Sequence, residues 1–365
     1  MYYIGIMSGT SLDGVDAVLV DFSVATCSLI GACYIAYDVS LQQDLLALCQ
    51  RGENELHRAA LLANKLAGLY AQAVTQLLEQ HAIDPEEIAA IGCHGQTVRH
   101  YPQPENQYSI QLINGALLAE LTKITTVTDF RSRDIAAGGQ GAPLVPAFHQ
   151  AVFSHSEVHR LIINIGGIAN ITSLPVADEV SGFDCGPGNM LMDAWCQQHT
   201  GQRYDRDGLW ARSGKIIYAL LENLLRFPYF SLPPPKSTGR EMFAIDWLLP
   251  YLTGKEAAQD VQATLLQLTV QSIADAVRTC YPTARELYLC GGGAHNSFLV
   301  TQLQKQKELS ACQIKRTDVL GIEADWVEAC AFAWLAQQSM MRVVGNLPAV
   351  TGAAGKRVLG AIYPA

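Results

Sequence analysis

Two stretches decide how this chain folds: YIGIMSGTSLDGVDAVLVDF, Tyr3–Phe22, and LIINIGGIANITSL, Leu161–Leu174. Each reads as an apolar strand, a glycine-bearing turn and a second apolar strand, the pattern of a β-hairpin. Each opens a region of mixed strands and helices. The repeat predicts two related lobes with a cleft between them; glycine-turn hairpins are common, however, and chance repetition would look the same.

Outward from the first hairpin, Ser28–Val39 reads as a third strand. A helix over 55–80 follows, where Leu56, Ala59, Ala60, Ala63, Leu66, Ala67, Tyr70, Val74 and Leu77 recur at helical spacing. Strands are predicted at Ala89–Cys93, Tyr108–Ile113 and Thr125–Thr128. The run AAGGQGAP, Ala136–Pro143, is predicted to be the boundary and hinge. Beyond the second hairpin, Ser181–Asp184 reads as extended, and a helix begins near Asn189, which Asn189 or Gly188 could cap. LPPPKSTGREMF, Leu232–Phe243, reads as a proline-stiffened loop. A long helix spans roughly 257–281, Glu286–Cys290 is a strand, Asn296 starts a helix, and a last helix covers about 325–341. The predicted lobes are 1–135 with 340–365, and 136–339.

The bulk numbers agree with two folded lobes. A chain of 365 residues, 49% hydrophobic and 16% charged, can bury two sizeable cores. A net charge of −9 with no basic run argues against a nucleic-acid partner. The ten cysteines include no CxxC pair, so a zinc ribbon or redox motif is not indicated, and buried free thiols in a reducing cytosol are the simpler expectation. The N-terminus has no secretory pattern and no apolar run would span a bilayer, so a cytoplasmic protein without membrane association is expected.

Six segments carry chemistry. Ser8-Gly-Thr-Ser-Leu-Asp-Gly14 offers hydroxyls and backbone N–H groups in one turn, as a phosphate-wrapping loop does, although no Gly-Lys-Ser/Thr follows to make it a P-loop. Asn164–Asn170 places two adjacent glycines after a buried strand, where a ligand can approach the backbone. Leu289–Asn296 sets three glycines between a strand and a helix, leaving room for an adenosine. Gly182–Asn189 contains one charge, Asp184, in a rigid segment before a helix. A carboxylate there can accept a proton or hold a metal-bound water, or it can simply complement the helix dipole. Gly92–His100 and Thr128–Asp134 bring polar groups to strand ends, where pockets form. His155-Ser-Glu-Val-His159 has metal-site spacing but lacks the glutamate after its first histidine, and no Gly-x-Ser-x-Gly occurs.

Two phosphate-type hairpins and a glycine-rich loop resemble the actin/Hsp70/hexokinase-like (ribonuclease H-like) fold, an α/β architecture of two related lobes with an interlobe cleft. The wording of IGIMSGTSLDGVDAVLVDF, GCHGQTVRH, TDFRSRDIAAGGQGAPLVPAFH, NIGGIANIT, GFDCGPGNMLMDAW, LYLCGGGAHN and DWVEACAFAWLA, in that order from Tyr3 to at least Leu335, resembles the anhydro-N-acetylmuramic acid kinases. The resemblance implies an ATP-dependent enzyme that hydrolyses a 1,6-anhydro bridge and phosphorylates O6, giving N-acetylmuramic acid 6-phosphate for cell-wall recycling. It implies Asp184 as the general base. ATP would be held by Gly9, Thr10, Ser11, Leu12, Asp13, Gly14, Val15 and Asp16, by Gly166 and Gly167, and by Gly291, Gly292, Gly293 and Asn296. His94, Gln96, Thr97, Asp129, Arg131 and Glu328 would contact the sugar, Arg131 facing its lactyl carboxylate. Mg²⁺ is implied beside ATP, and a homodimer is implied too. The first turn departs from the D-x-G-x-T pattern of many hexokinase-like kinases: no acid precedes Gly9, Asp13 follows it, and no metal ligand is assigned. A kinase of this fold for another sugar or a carboxylate, and an ATP-switched binding protein, are the competing expectations.

Overall fold

The computed structural model describes residues 1–23, 27–102, 105–239 and 242–365. Twelve strands are assigned among them: β1 (Tyr2–Ser8), β2 (Gly14–Asp21), β3 (Ser28–Ala36), β4 (Ile88–Tyr101), β5 (Tyr108–Leu112), β6 (Thr126–Thr128), β7 (Arg160–Ile165), β8 (Ile168–Leu174), β9 (Ser181–Pro187), β10 (Glu286–Cys290), β11 (Gln313–Arg316) and β12 (Ala361–Tyr363). Five helices matter most for the site: α1 (Glu55–His81), α2 (Met190–Thr200), α3 (Ala258–Cys280), α4 (Ser297–Gln304) and α5 (Val327–Met340).

The chain divides into Met1–Val152 with Trp326–Ala365, and Phe153–Asp325. The first unit's sheet runs β12-β6-β4-β1-β2-β3, with β5 paired to β4. The second unit's sheet runs β11-β10-β7-β8-β9. In each, the opening three strands pair antiparallel, β1 with β2 and β2 with β3 here, β7 with β8 and β8 with β9 there. The next two pair parallel on the opening strand's other side, β4 and β6 in one case, β10 and β11 in the other. The hairpin repeat is therefore the visible part of a repeated five-strand order, and the chain has the two-sheet α/β fold that its sequence predicts.

The boundaries lie elsewhere than at 135/136 and 339/340. Helix α5 packs on β1, β2 and β4 of the first unit. It does so because Gly5 and Gly92 leave space: a Cβ on Gly5 would stand 1.9 Å from the Ala329 carbonyl oxygen, and one on Gly92 2.0 Å from that of Phe332. Ala329, Ala331, Ala333 and Ala336 keep the helix slim, and most of its side chains are buried. The glycine run 136–141 is not a boundary either. Asp134, fully buried, accepts from the Gly141 N–H at 2.9 Å, from Asn346 Nδ2 at 2.7 Å and from Thr351 Oγ1 at 2.8 Å. The Gln140 N–H donates to the Thr351 carbonyl at 2.8 Å, and the Ala354 N–H to the Ala137 carbonyl at 2.7 Å. Bonded to the C-terminal segment on both sides, the run is a brace within the first unit.

The cores follow the periodicity from Leu66 onward, whereas Leu56 and Ala60, expected on the apolar face, are exposed at the start of α1 and Leu62 takes their place. In the first unit α1 lays Leu62, Leu66, Tyr70, Val74 and Leu77 on the sheet, beside Ile4, Ile6 and Leu19. In the second, α3 buries residues on almost all sides, from Val261 to Val277. The Leu232–Phe243 loop is largely as expected, with Arg240 and Glu241 outside the described residues.

Candidate active site

In the first unit, the β1–β2 turn presents Thr10, Ser11 and Asp13 to solvent while Leu12 and Val15 point into the core, so the latter two can offer a ligand only their backbone. Leu12 takes the left-handed conformation at φ +59°. The turn is held from several sides. Gln96 Nε2 donates to the Gly9 carbonyl at 2.9 Å, the Leu12 N–H donates to the same oxygen at 3.3 Å, and Ser11 Oγ donates to Asp13 Oδ1 at 2.5 Å. Gln96, fully buried, thus supports the phosphate-type turn and is not presented to a sugar. Thr97 Oγ1 accepts from Gln111 Nε2 at 3.1 Å.

Three expected sugar contacts do converge. Arg131 donates from Nε at 3.1 Å and from a terminal nitrogen at 2.8 Å to His94 Nε2, and from its other terminal nitrogen to the Gly141 carbonyl at 2.7 Å. A ring nitrogen that accepts from a guanidinium is unprotonated, so His94 is neutral with its hydrogen on Nδ1. Burial and the Arg131 cation hold its pKa well below the ordinary histidine value. Burial pushes Arg131 down to about 10, with Glu328 and Asp134 opposing. Glu328 is raised by burial and pulled back by Arg131. Arg131 is thereby committed to protein partners through all three nitrogens. Asp129, exposed and at φ +54°, stands at the end of β6 and accepts from the Ser132 N–H at 3.4 Å.

In the second unit, three motifs distant in sequence meet. The Gly166 and Gly167 carbonyls accept from the N–H groups of Asn189, Gly188 and Met190, at 2.8, 2.9 and 3.2 Å, at the start of α2. Asn189 Nδ2 donates to the Ile165 carbonyl at 3.1 Å, so its side chain is not the helix cap. The Gly291–Gly293 bend lies on the same backbone: a Cβ on Gly291 would stand 2.2 Å from Asn164 Oδ1, and one on Gly293 2.3 Å from Ile165 Cγ2. The glycines fall into two kinds. Gly14, Gly188, Gly291 and Gly293 have no room for a Cβ, so internal packing demands them. A Cβ on Gly9, Gly166, Gly167 or Gly292 would meet nothing nearer than 3.5 Å, which is ordinary contact, so packing does not demand these four. A ligand that comes against the backbone would. Asn296 Oδ1 caps α4, accepting from the Leu299 N–H at 3.0 Å, and its expected nucleotide role competes with that bond.

Asp184 sits on β9, largely buried, with one carboxylate oxygen accepting from the Thr238 N–H at 2.9 Å. Burial pushes its pKa up to about 7, and the Thr238 bond partly offsets that rise. The simple dipole-complementing role does not explain this, because a carboxylate there would remain an ordinary acid. The loop that supplies Thr238 also carries Lys236, and neither residue stands out in the sequence. A backbone donor has no side-chain signature, and the prolines of that loop announce only stiffness. No group of three or more His, Cys, Asp and Glu converges as a metal site among the described residues. Nor, among them, is any helix long and apolar enough to cross a membrane.

The sequence matches the family model described as "Anhydro-N-acetylmuramic acid kinase" over residues 1–365. The chain belongs to that family. It is a carbohydrate kinase. An anhydro-N-acetylmuramic acid kinase of Nitrosomonas europaea is 73% identical over 365 residues, covering 100% of both chains. One of Nitrosospira multiformis is 58% identical over 364 residues, covering 100% of this chain and 99% of that one. Among solved structures, a ROK family glucokinase from Streptomyces griseus in complex with glucose and AMPPNP aligns over 93% of this chain and 100% of that one, at 12% identity and a TM-score of 0.44.

Proposed function

We propose that the protein opens the 1,6-anhydro bridge of anhydro-N-acetylmuramic acid and phosphorylates O6 at the expense of ATP, yielding N-acetylmuramic acid 6-phosphate in cytoplasmic cell-wall recycling. The observation that carries this reading is the Asp184 carboxylate, buried, held through one oxygen and poised at about pKa 7. A base of that pKa removes a proton from water near neutral pH without being fully protonated itself. Water oxygen bonds to C1 as its proton passes to Asp184; the C1–O6 bond breaks with its electron pair on O6; O6 then bonds to the γ-phosphorus as the bond to the departing ADP breaks. Attack on the face opposite the leaving oxygen is the inverting geometry of glycoside cleavage, with phosphoryl capture in place of the usual acid.

The turns Gly9–Asp16 and Gly166–Gly167 offer backbone N–H groups to phosphates, and Gly291–Gly293 offers bare backbone to adenosine. His94, Arg131, Glu328 and Asp129 are the sugar-recognising set, with Gln96 and Thr97 supporting it. The exposed carboxylate of Asp13 and the nearby Asp16 fit a magnesium ion that arrives on the nucleotide, since that ion typically takes only one or two protein carboxylates beside phosphate oxygens. Bound there, Mg²⁺ would neutralise phosphate charge. A homodimer is part of the proposal through the family alone.

The test is mass spectrometry of the product formed in ¹⁸O water, quenched early and compared with unlabelled product left in the same water. Label at the anomeric hydroxyl, above that control and absent from the phosphate, is the expected result. Unlabelled sugar phosphate, or equal turnover of a sugar with a free hydroxyl in place of the bridge, would leave an ordinary sugar kinase.

A further inference from the structure

The Leu232–Gly239 loop is fastened beside Asp184 by a lysine that makes no ion pair with it. Lys236 Nζ donates to the carbonyls of Tyr229 and Phe230, at 3.0 and 3.3 Å. The same ammonium lies 4.8 Å from the centre of the Tyr229 ring and 5.7 Å from that of Phe183, both within cation–π range. The backbone around it is bonded to Asp184 at three points. The Asp184 N–H donates to the Lys236 carbonyl at 3.1 Å, the Tyr229 hydroxyl donates to the Asp184 carbonyl at 2.8 Å, and the Thr238 N–H donates to the carboxylate at 2.9 Å. Behind this stands an aromatic pack: Phe243 meets Tyr229, Phe230 and Trp247 at ring distances of 5.5, 5.7 and 5.1 Å.

We infer that Lys236 is a positioning residue for the Asp184 base: its clamp on Tyr229 and Phe230 holds the loop so that the Thr238 N–H fixes one carboxylate oxygen and leaves the other for water. The inference rests on Asp184 being the base. Two carbonyls and two ring faces define one ammonium position, and only Ser237 separates Lys236 from Thr238, so fixing the lysine restricts where the Thr238 N–H can stand. An ammonium that serves only to neutralise charge would seek a carboxylate; no Lys236 ion pair occurs among the described residues.

The groups facing Asp184 do not confuse its titration. Tyr229 and Cys185 are pushed up by burial, so both stay neutral through the neutral range. Lys236 is lowered by burial, with Cys185 and Cys280 opposing. Loss of the Thr238 bond removes the one interaction that favours the ionised carboxylate, so the Asp184 pKa rises further.

The experiment measures kcat/KM against pH for ATP and the anhydro sugar in the wild type, Lys236→Met, Lys236→Arg and Asp184→Asn. The acid limb of Lys236→Met is expected about one unit higher than that of the wild type, with activity roughly fivefold down at pH 7 and KM for ATP unchanged. Arginine, which can bridge the same carbonyls and stack on the same ring, should return the limb. A Met variant with the wild-type limb, at whatever rate, overturns the inference, as does an Arg variant whose limb stays with Met. Should Lys236→Met fail to fold, Thr238→Pro deletes the same N–H with the lysine in place; an unmoved limb there is equally decisive against it. Near-normal turnover by Asp184→Asn would instead defeat the assignment of the base and the inference with it, whereas an inactive Asp184→Asn beside an unmoved Lys236→Met limb defeats the inference alone.

Discussion

The two units hold their buried acids in opposite ways. In the first, Glu328 and Asp134 lie within reach of the Arg131 cation, and Asp134 is saturated by three donors. In the second, Asp184 has one backbone donor and no cation that lowers its pKa. Asp134, tied to three donors, builds structure; an acid left with a single donor becomes a candidate proton acceptor near neutral pH. The same sheet order therefore carries the proposed recognition set in one copy and the proposed base in the other.

The sharpest way to break that contrast is Asp184→Asn. Turnover should fall by about a thousandfold, within the range that general-base removal produces, while ATP affinity stays within about twofold. Retained turnover would make Asp184 as structural as Asp134. The same variant tests the energetics. A folded pKa near 7, above the ordinary carboxylate value, means that wild-type stability is fully present at low pH and declines as pH rises through 7. Asparagine has no such decline, so thermal melts should match the wild type at pH 4 and exceed it at pH 8.

Next in size is Arg131→Met. It removes both donors to His94 and the bond to Gly141, and should cost about 10- to 100-fold in kcat/KM, mainly through the KM of the sugar. A change confined to ATP parameters would detach His94 and Arg131 from recognition. The smallest effect is expected at Gly167→Ala. Its methyl would stand 3.8 Å from Met190 Cβ, an ordinary contact, so the melting temperature should not move, while KM for ATP should rise about tenfold. A large loss of stability would return Gly167 to the packing glycines.

The sequence makes the hairpins, α1 and the Glu286–Cys290 strand legible because each satisfies one periodicity from end to end. It locates Asp184 as the one charge in a rigid segment. Asn189 and Gln96 are harder to read, since an amide's use depends on which carbonyl it reaches. The clamp around Lys236 is invisible for the same reason: its partners are main-chain carbonyls and ring faces. The misplaced boundaries have two physical sources, of which the docking of α5 through Gly5 and Gly92 is one and the glycine run the other. The glycine run looks loose in sequence, yet Asp134 and Thr351 bind it, and those two are 217 residues apart along the chain.

Gly5 and Gly92 seat a helix that is synthesised only after the whole of the second unit. The middle unit, Phe153–Asp325, is continuous and can complete its own sheet as it leaves the ribosome. The amino-terminal sheet must wait, its apolar strands uncovered, until Val327–Met340 has been synthesised and can dock on it. A ribosome stalled after Asp325 would thus display a complete second unit beside a first unit still lacking α5.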